Sequence, residues 1–176
     1  MLLDLNRLRG QREHFDPQFE PAAFDPPDDD YRVAGPVDVS MDVEKAGGEA
    51  FRVTGRVTAT LQLECGRCLD DFQVAVNAAF ELRYVPAIEN DGVGEREIAE
   101  DDLTTAFYRE GSLDVIDLVR EQFQLALPMK PLCADGCRGL CAVCGANLNR
   151  TECGCAPKWE DPRLAVLKSI VKSRET

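Results

Sequence analysis

Between Leu132 and Cys155 the chain reads L-C-A-D-G-C-R-G-L-C-A-V-C-G-A-N-L-N-R-T-E-C-G-C, and this stretch holds six of the eight cysteines: Cys133, Cys137, Cys141, Cys144, Cys153 and Cys155. Their spacings are C-x3-C-x3-C-x2-C-x8-C-x-C. Thiols this close together pair, exchange electrons or share a metal, and each outcome dictates the local backbone. The other two, Cys65 and Cys68, form a C-x-x-C far upstream.

The compartment decides between these chemistries. No positively charged start leads into an apolar run, and no segment approaches the roughly eighteen apolar residues of a membrane span. The expected compartment is therefore the cytoplasm, with no membrane contact. In a reducing compartment eight thiols point to metal ligation rather than to four disulfides. Zn²⁺ takes four thiolates in a tetrahedron at about 2.3 Å, and a short C-x-x-C loop places two of them on one ion. Cys141-Ala142-Val143-Cys144-Gly145 is such a loop, as is Cys65-Gly66-Arg67-Cys68, and Cys133-x3-Cys137 and Cys153-x-Cys155 have the same reach.

Four close pairs divide into two four-thiolate zinc sites. In the expected division Cys141, Cys144, Cys153 and Cys155 form a local site, while Cys133 and Cys137 join Cys65 and Cys68. The alternative is one metal in the six-thiol region, with Cys65 and Cys68 left over. An iron–sulfur cluster suits the same ligands, whereas a redox dithiol calls for a C-x-x-C that opens a helix. Arg67, Arg138 and Arg150 lie in or beside the loops, where they can offset the charge of about −2 on a zinc tetrathiolate.

Upstream, the periodicity is that of strands. Val37, Val39, Met41 and Val43 alternate with Asp38, Ser40, Asp42 and Glu44, and Ala46-Gly47-Gly48-Glu49 supplies a turn. Phe51, Val53, Val57, Ala59, Leu61, Leu63 and Cys65 then share one face, with Gly55 marking an expected bulge. Phe72, Val74, Val76, Ala78, Phe80, Leu82 and Tyr84 share the face of a second run. Two half-buried strands and a short loop make an antiparallel hairpin with an exposed Cys65-x-x-Cys68 at its tip.

Leu113–Leu127 changes to helical period, with Asp114 and Asp117 in its first turn, and Pro128 stops it. Asp161-Pro162 starts an expected last helix carrying Leu164, Val166, Leu167, Ile170 and Val171. Met1–Leu8 suits a short strand or a turn of helix. The Pro-rich stretch 9–32 reads as an irregular arm anchored by Phe15, Phe19 and Phe24, with His14 a solvated surface residue. Residues 86–111 read as an acidic mobile loop with a strand near Arg96–Ile98 and a helical turn near Leu103–Tyr108.

The expected fold class is α+β: an antiparallel sheet built on a long hairpin, one packed helix and a Cys-rich zinc-binding C-terminal region. Its segments are an arm over 1–36, a sheet-and-helix core over 37–131, and a metal-binding segment with the last helix over 132–176.

Charge is unevenly spread. Residues 1–119 carry 11 Lys and Arg against 26 Asp and Glu, a net of −15, and residues 120–176 carry 9 against 6, a net of +3. Most of the surface therefore repels phosphate, and direct RNA contact falls to the C-terminal third. There is no Gly-rich phosphate loop, no nucleophile elbow and no open His-based metal position, so neither catalysis nor a small-molecule substrate is expected.

These motifs resemble the YceD family of large ribosomal RNA subunit accumulation proteins, found in bacteria and plastids. The resemblance rests on Leu63-Glu64-Cys65-Gly66-Arg67-Cys68-Leu69, on Leu127-Pro128-Met129-Lys130-Pro131-Leu132-Cys133 and on Cys137-Arg138-Gly139-Leu140-Cys141. It continues through Cys144-Gly145-Ala146-Asn147-Leu148-Asn149 and Asp161-Pro162-Arg163-Leu164, covering about residues 60–175. It implies a role in synthesis, processing or accumulation of large-subunit ribosomal RNA and no defined activity. With no catalytic constellation in the sequence, the expected function is that of a non-enzymatic ribosome-biogenesis factor. The implied partner is an RNA precursor or pre-ribosomal particle, or a ribosomal protein or RNA-processing enzyme. The RNA-facing candidates are Arg138, Arg150, Lys158, Arg163, Lys168 and Lys172. Two alternatives stand beside it: an acidic module that holds a basic ribosomal protein, and a thiol redox or metal-sensing switch.

Overall fold

Alternating side chains build the sheet, and their register decides which of them are buried. A computed structural model of the chain describes residues 1–26, 28, 30–87 and 104–156. The chain divides into two compact units, Met1–Cys65 with Asp70–Cys133, and Gly66–Leu69 with Ala134–Thr176. All the secondary structure that follows belongs to the first.

In chain order the elements are β1 (Leu2–Asp4), a 3₁₀ turn over Leu5–Arg7, β2 (Arg12–Phe15), β3 (Gln18–Phe19) and a 3₁₀ turn over Pro21–Phe24. There follow β4 (Arg32–Val33), β5 (Val37–Lys45), β6 (Phe51–Glu64), β7 (Asp71–Pro86), β8 (Thr105–Tyr108), β9 (Ser112–Asp114) and α1 (Val115–Ala126). A seven-stranded sheet runs β2-β5-β6-β7-β8, with β3 also on β5 and β4 on β6, and β1 pairs separately with β9.

The expected hairpin is its centre. β6 and β7 pair without interruption from Phe51↔Tyr84 to Glu64↔Asp71. The inward residues of β5 and β6, Val37, Val39, Met41, Val43, Val53, Val57, Leu61 and Leu63, are all buried. Removing such side chains from water contributes roughly 1.5–3 kcal/mol each. Gly55 makes no bulge. Its register partners Met41 and Phe80 are ordinary, and a Cβ there would stand 2.5 Å from the Ser40 carbonyl oxygen and 2.7 Å from the Phe80 ring. The glycine makes room for that ring.

Three expectations are corrected. The sheet is mixed rather than purely antiparallel, because β8 lies parallel to β7. Thr105–Tyr108 is that strand and not a helical turn, since its backbone pairs with Arg83–Pro86. The Pro-rich arm is not irregular throughout, for β2 and β3 both pair with β5. They cover a strand edge that would otherwise offer unpaired N–H and C=O groups. Arg12 there donates to Asp42 at 2.8 Å, while His14 lies 3.1 Å from Asp42 and 2.8 Å from Asp16. His14 is a surface residue.

The Phe anchors sit where helix α1 needs them. Phe19 and Phe24 are buried and Phe15 packs against the core. The Phe123 ring of α1 meets Phe24 at 5.7 Å and Tyr31 edge-on at 5.6 Å. Asp114 caps the helix, its carboxylate accepting from the Ile116 N–H at 2.9 Å. The buried stripe is Val115, Leu118, Val119, Gln122 and Phe123. The helix ends at Leu127, whose extended backbone (ψ 138°) is what a residue before proline adopts. The strand expected near Arg96–Ile98 and the last helix near 161–171 lie outside the described residues.

Candidate metal centres

The hairpin delivers the first pair of thiols. Its turn closes where the Cys65 N–H donates to the Asp70 carbonyl at 3.0 Å, and Leu69 reverses the chain at φ 60°. Cys65 continues the inward face of β6 and is fully buried, and Cys68 is nearly so. The tip thiols are therefore not exposed, in contrast to the expectation from the strand end alone. Beyond Pro128 the chain brings the Cys133 N–H to the Cys65 sulfur, 3.4 Å away.

In the second unit the four-residue loop Gly66–Leu69 is tied to the segment around Cys137. The Arg67 guanidinium donates to the Cys137 carbonyl at 2.9 Å, and the Leu140 N–H donates to the Arg67 carbonyl at 3.0 Å. Gly139 lies opposite that carbonyl at φ +71°, a left-handed conformation that favours glycine.

Next comes a tight knuckle around Cys141-x-x-Cys144. The Val143 N–H donates to the Cys141 sulfur at 3.4 Å and the Gly145 N–H to the Cys141 carbonyl at 2.8 Å. The Cys141 N–H donates to Ala146 at 2.8 Å and the Leu148 N–H to Gly139 at 2.9 Å. N–H groups turned toward sulfur stabilise its anionic form, the form that binds metal.

The sulfurs gather into the two sets that their spacings suggest. Cys65, Cys68, Cys133 and Cys137 form one set and Cys141, Cys144, Cys153 and Cys155 the other, with the ligand atoms of each within 4.8 Å of one another. None of the eight cysteines, all of which are among the described residues, forms a disulfide. A tetrahedron with metal–sulfur bonds of about 2.3 Å has edges of about 3.8 Å, so only a slight contraction separates either set from a closed site. Neither set includes a histidine or a carboxylate.

Electrostatics in the second set favour a cation. The Cys141 thiol is lowered to about 6, chiefly by the N–H groups of Cys144 and Val143. The Cys155 thiol is pushed up to about 12, because it hydrogen-bonds Cys144, is partly desolvated and faces neighbouring sulfur charge. One thiolate forms easily and the next is resisted, a conflict that a divalent ion relieves.

The described residues of the second unit bury little besides sulfur. Among its described residues the buried side chains named in the core are Cys68 and Cys137, with no buried Leu, Ile, Val or Phe. Of the proposed RNA-facing residues, Arg138 is exposed with Nη1 3.9 Å from Glu152, and Arg150 is exposed. Lys158, Arg163, Lys168 and Lys172 lie outside the described residues. Two asparagines missed at the sequence level act beside the sulfurs. Asn149 donates to the Cys137 sulfur at 3.2 Å, and Asn147 accepts from the Asn149 N–H at 3.0 Å. Their only sequence signal is the short G-A-N-L-N run after Cys144.

Residues 53–171 match the family described as "Large ribosomal RNA subunit accumulation protein YceD". The chain is 28% identical over 160 residues to the maize protein named large ribosomal RNA subunit accumulation protein YCED homolog 1, chloroplastic, covering 78% of this chain and 54% of that one. The Arabidopsis thaliana protein of the same name is 28% identical over 162 residues, covering 80% and 50%. A protein of Mycobacterium tuberculosis described as uncharacterized is 33% identical over 136 residues, covering 77% and 62%. The chain spans about half the length of the plant relatives. No solved structure matches.

Proposed function

The chain belongs to the YceD family, and on that premise we propose that it is a non-enzymatic factor supporting the synthesis, processing or accumulation of large-subunit ribosomal RNA, its fold stapled by zinc in two four-thiolate sites. Cys65, Cys68, Cys133 and Cys137 hold one ion, and Cys141, Cys144, Cys153 and Cys155 the other. The observation that carries the zinc is the pairing of two all-sulfur sets with a second unit whose described residues bury no large apolar side chain. Where the described residues bury so little apolar surface, a bound metal supplies free energy that keeps them ordered. Four protein thiolates leave no vacant position for water or substrate, which supports a structural and not a catalytic ion.

The factor works in the reducing cytoplasm on a precursor RNA or pre-ribosomal particle, directly or through a ribosomal protein or processing enzyme. The family membership and the plant relatives' names support the ribosomal reading. The absence, among the described residues, of any helix long and apolar enough to cross a membrane is compatible with it. The test is depletion in the source cell, with the ratio of large- to small-subunit ribosomal RNA as readout. The ratio should fall and recover with the wild-type chain but not with Cys141→Ser/Cys144→Ser. An unchanged ratio overturns the reading.

The net charge of −15 over residues 1–119 supports a second reading, a holder for a basic ribosomal protein. It is recognised by salt-sensitive binding of such a protein in the absence of RNA.

A further inference from the structure

We propose that Asn149 is a positioning residue that couples the two sulfur sites, so that metal loading of one favours loading of the other; this rests on the metal reading above. Asn149 lies on the loop between Cys144 and Cys153, which both belong to one set, while its side chain serves a sulfur of the other. Its Oδ1 accepts from the Arg138 N–H at 2.7 Å. That bond fixes the carboxamide, so that Nδ2 donates to the Cys137 sulfur at 3.2 Å.

The backbone that carries Asn149 is held from within the loop. The Asn149 N–H donates to Asn147 Oδ1 at 3.0 Å. The N–H groups of Arg150 and Thr151 both donate to the Asn147 carbonyl, at 3.1 and 3.0 Å. Leu140 and Asn147 form an isolated antiparallel bridge beside the Cys141 knuckle. A metal held by Cys141, Cys144, Cys153 and Cys155 pins both ends of this loop. Ordering the loop in that way prepays the freedom Asn149 loses when it settles on Cys137.

An N–H donor on a ligating thiolate stabilises its charge, and partners of this kind typically tune metal affinity by about 10–100-fold. The coupling is reciprocal by linkage, so a metal on the set that includes Cys137 also favours the other. Asn149 thereby links residues that the cysteine spacing assigns to separate sites.

The experiment titrates the reduced, metal-free full chain with Zn²⁺, read by native mass spectrometry, and with Co²⁺, read through its thiolate charge-transfer absorption. At one equivalent the wild-type chain should be mostly empty or doubly loaded, with the one-metal species below the roughly one-half expected of equal independent sites. Asn149→Ala and Asn149→Asp should accumulate the one-metal species and lower the affinity of one site about 10–100-fold. Asn149→Asp is the sharper variant, because it keeps an acceptor for the Arg138 N–H and removes the donor to sulfur. At full Co²⁺ loading it should also shift the charge-transfer band. Two metals bound independently, with both variants like wild type, overturn the coupling and leave the metal reading standing. A wild-type chain that binds no metal overturns both.

Discussion

The Cys133 N–H points at the Cys65 sulfur, 3.4 Å away, across 68 residues of chain. Cys65 is fully buried at the end of β6, and Cys133 follows the exit from α1. Replacing Cys65 therefore removes a proposed metal ligand together with the sulfur that accepts from the Cys133 N–H. Cys65→Ser should bind one metal fewer and lose more than about 2 kcal/mol, as changes that remove a metal do. For a chain of this size that lowers Tm by at least roughly 4–8 °C. Thermal melts and metal analysis on one sample check it, and full stability with full metal content refutes the metal tie between Cys65 and Cys133.

Chelation under reducing conditions should act unevenly. Amides of Leu140, Gly145 and Leu148, which close the knuckle, should lose hydrogen-exchange protection when metal is stripped. Amides of β5, β6 and β7 should keep theirs, because buried side chains such as Val43, Val53 and Leu61 hold them. Uniform loss across the chain contradicts this.

Gly55 and Gly48 separate two kinds of glycine requirement. A Cβ at Gly55 meets the Ser40 carbonyl at 2.5 Å, the Phe80 ring at 2.7 Å and Met41 at 2.8 Å. Gly48 faces open space, but its φ is +60°. Gly55→Ala should cost about 2–3 kcal/mol through overpacking, and Gly48→Ala about 1 kcal/mol through backbone strain alone. Urea midpoints give the comparison, and equal costs would show that the ring does not set the first.

His14 supplies a pH test. Hydrogen bonds to Asp42 first and to Asp16 second raise its pKa above the ordinary imidazole value. A raised folded value means that its contribution is fully present below pH about 6.5 and is lost as pH rises through the folded pKa. His14→Gln should therefore destabilise the protein at pH 5 and leave it unchanged at pH 9. Asp42→Asn should lower the midpoint of the single histidine followed by NMR, and an unmoved midpoint discounts the pair.

Alternation made β5, β6 and β7 legible because each runs for nine residues or more with one face buried or half-buried. Four-residue strands carry no such signal. In Arg12-Glu13-His14-Phe15 and Thr105-Ala106-Phe107-Tyr108 the pairing is decided by a neighbouring strand edge and not by local pattern. Gly55 looked like a bulge because sequence shows a missing side chain and not the ring that fills its place. The grouping of the thiols was legible from spacing. The burial of Cys65 and Cys68 was not, since it depends on residues that arrive almost seventy positions later. The role of Asn149 was not legible for a related reason, as its partner Cys137 belongs to the other set.

The loop Gly66–Leu69 belongs with residues from Ala134 onward, although both of its flanks belong with the sheet. In genetic terms the cysteine-rich segment is no cassette. Recombination that moved residues 134 onward into another gene would leave behind the Arg67 carbonyl that receives the Leu140 N–H and the guanidinium that holds the Cys137 carbonyl. It would also part Cys137 from Cys65 and Cys68. A segment moved in this way would need the hairpin that supplies its missing four residues to move with it.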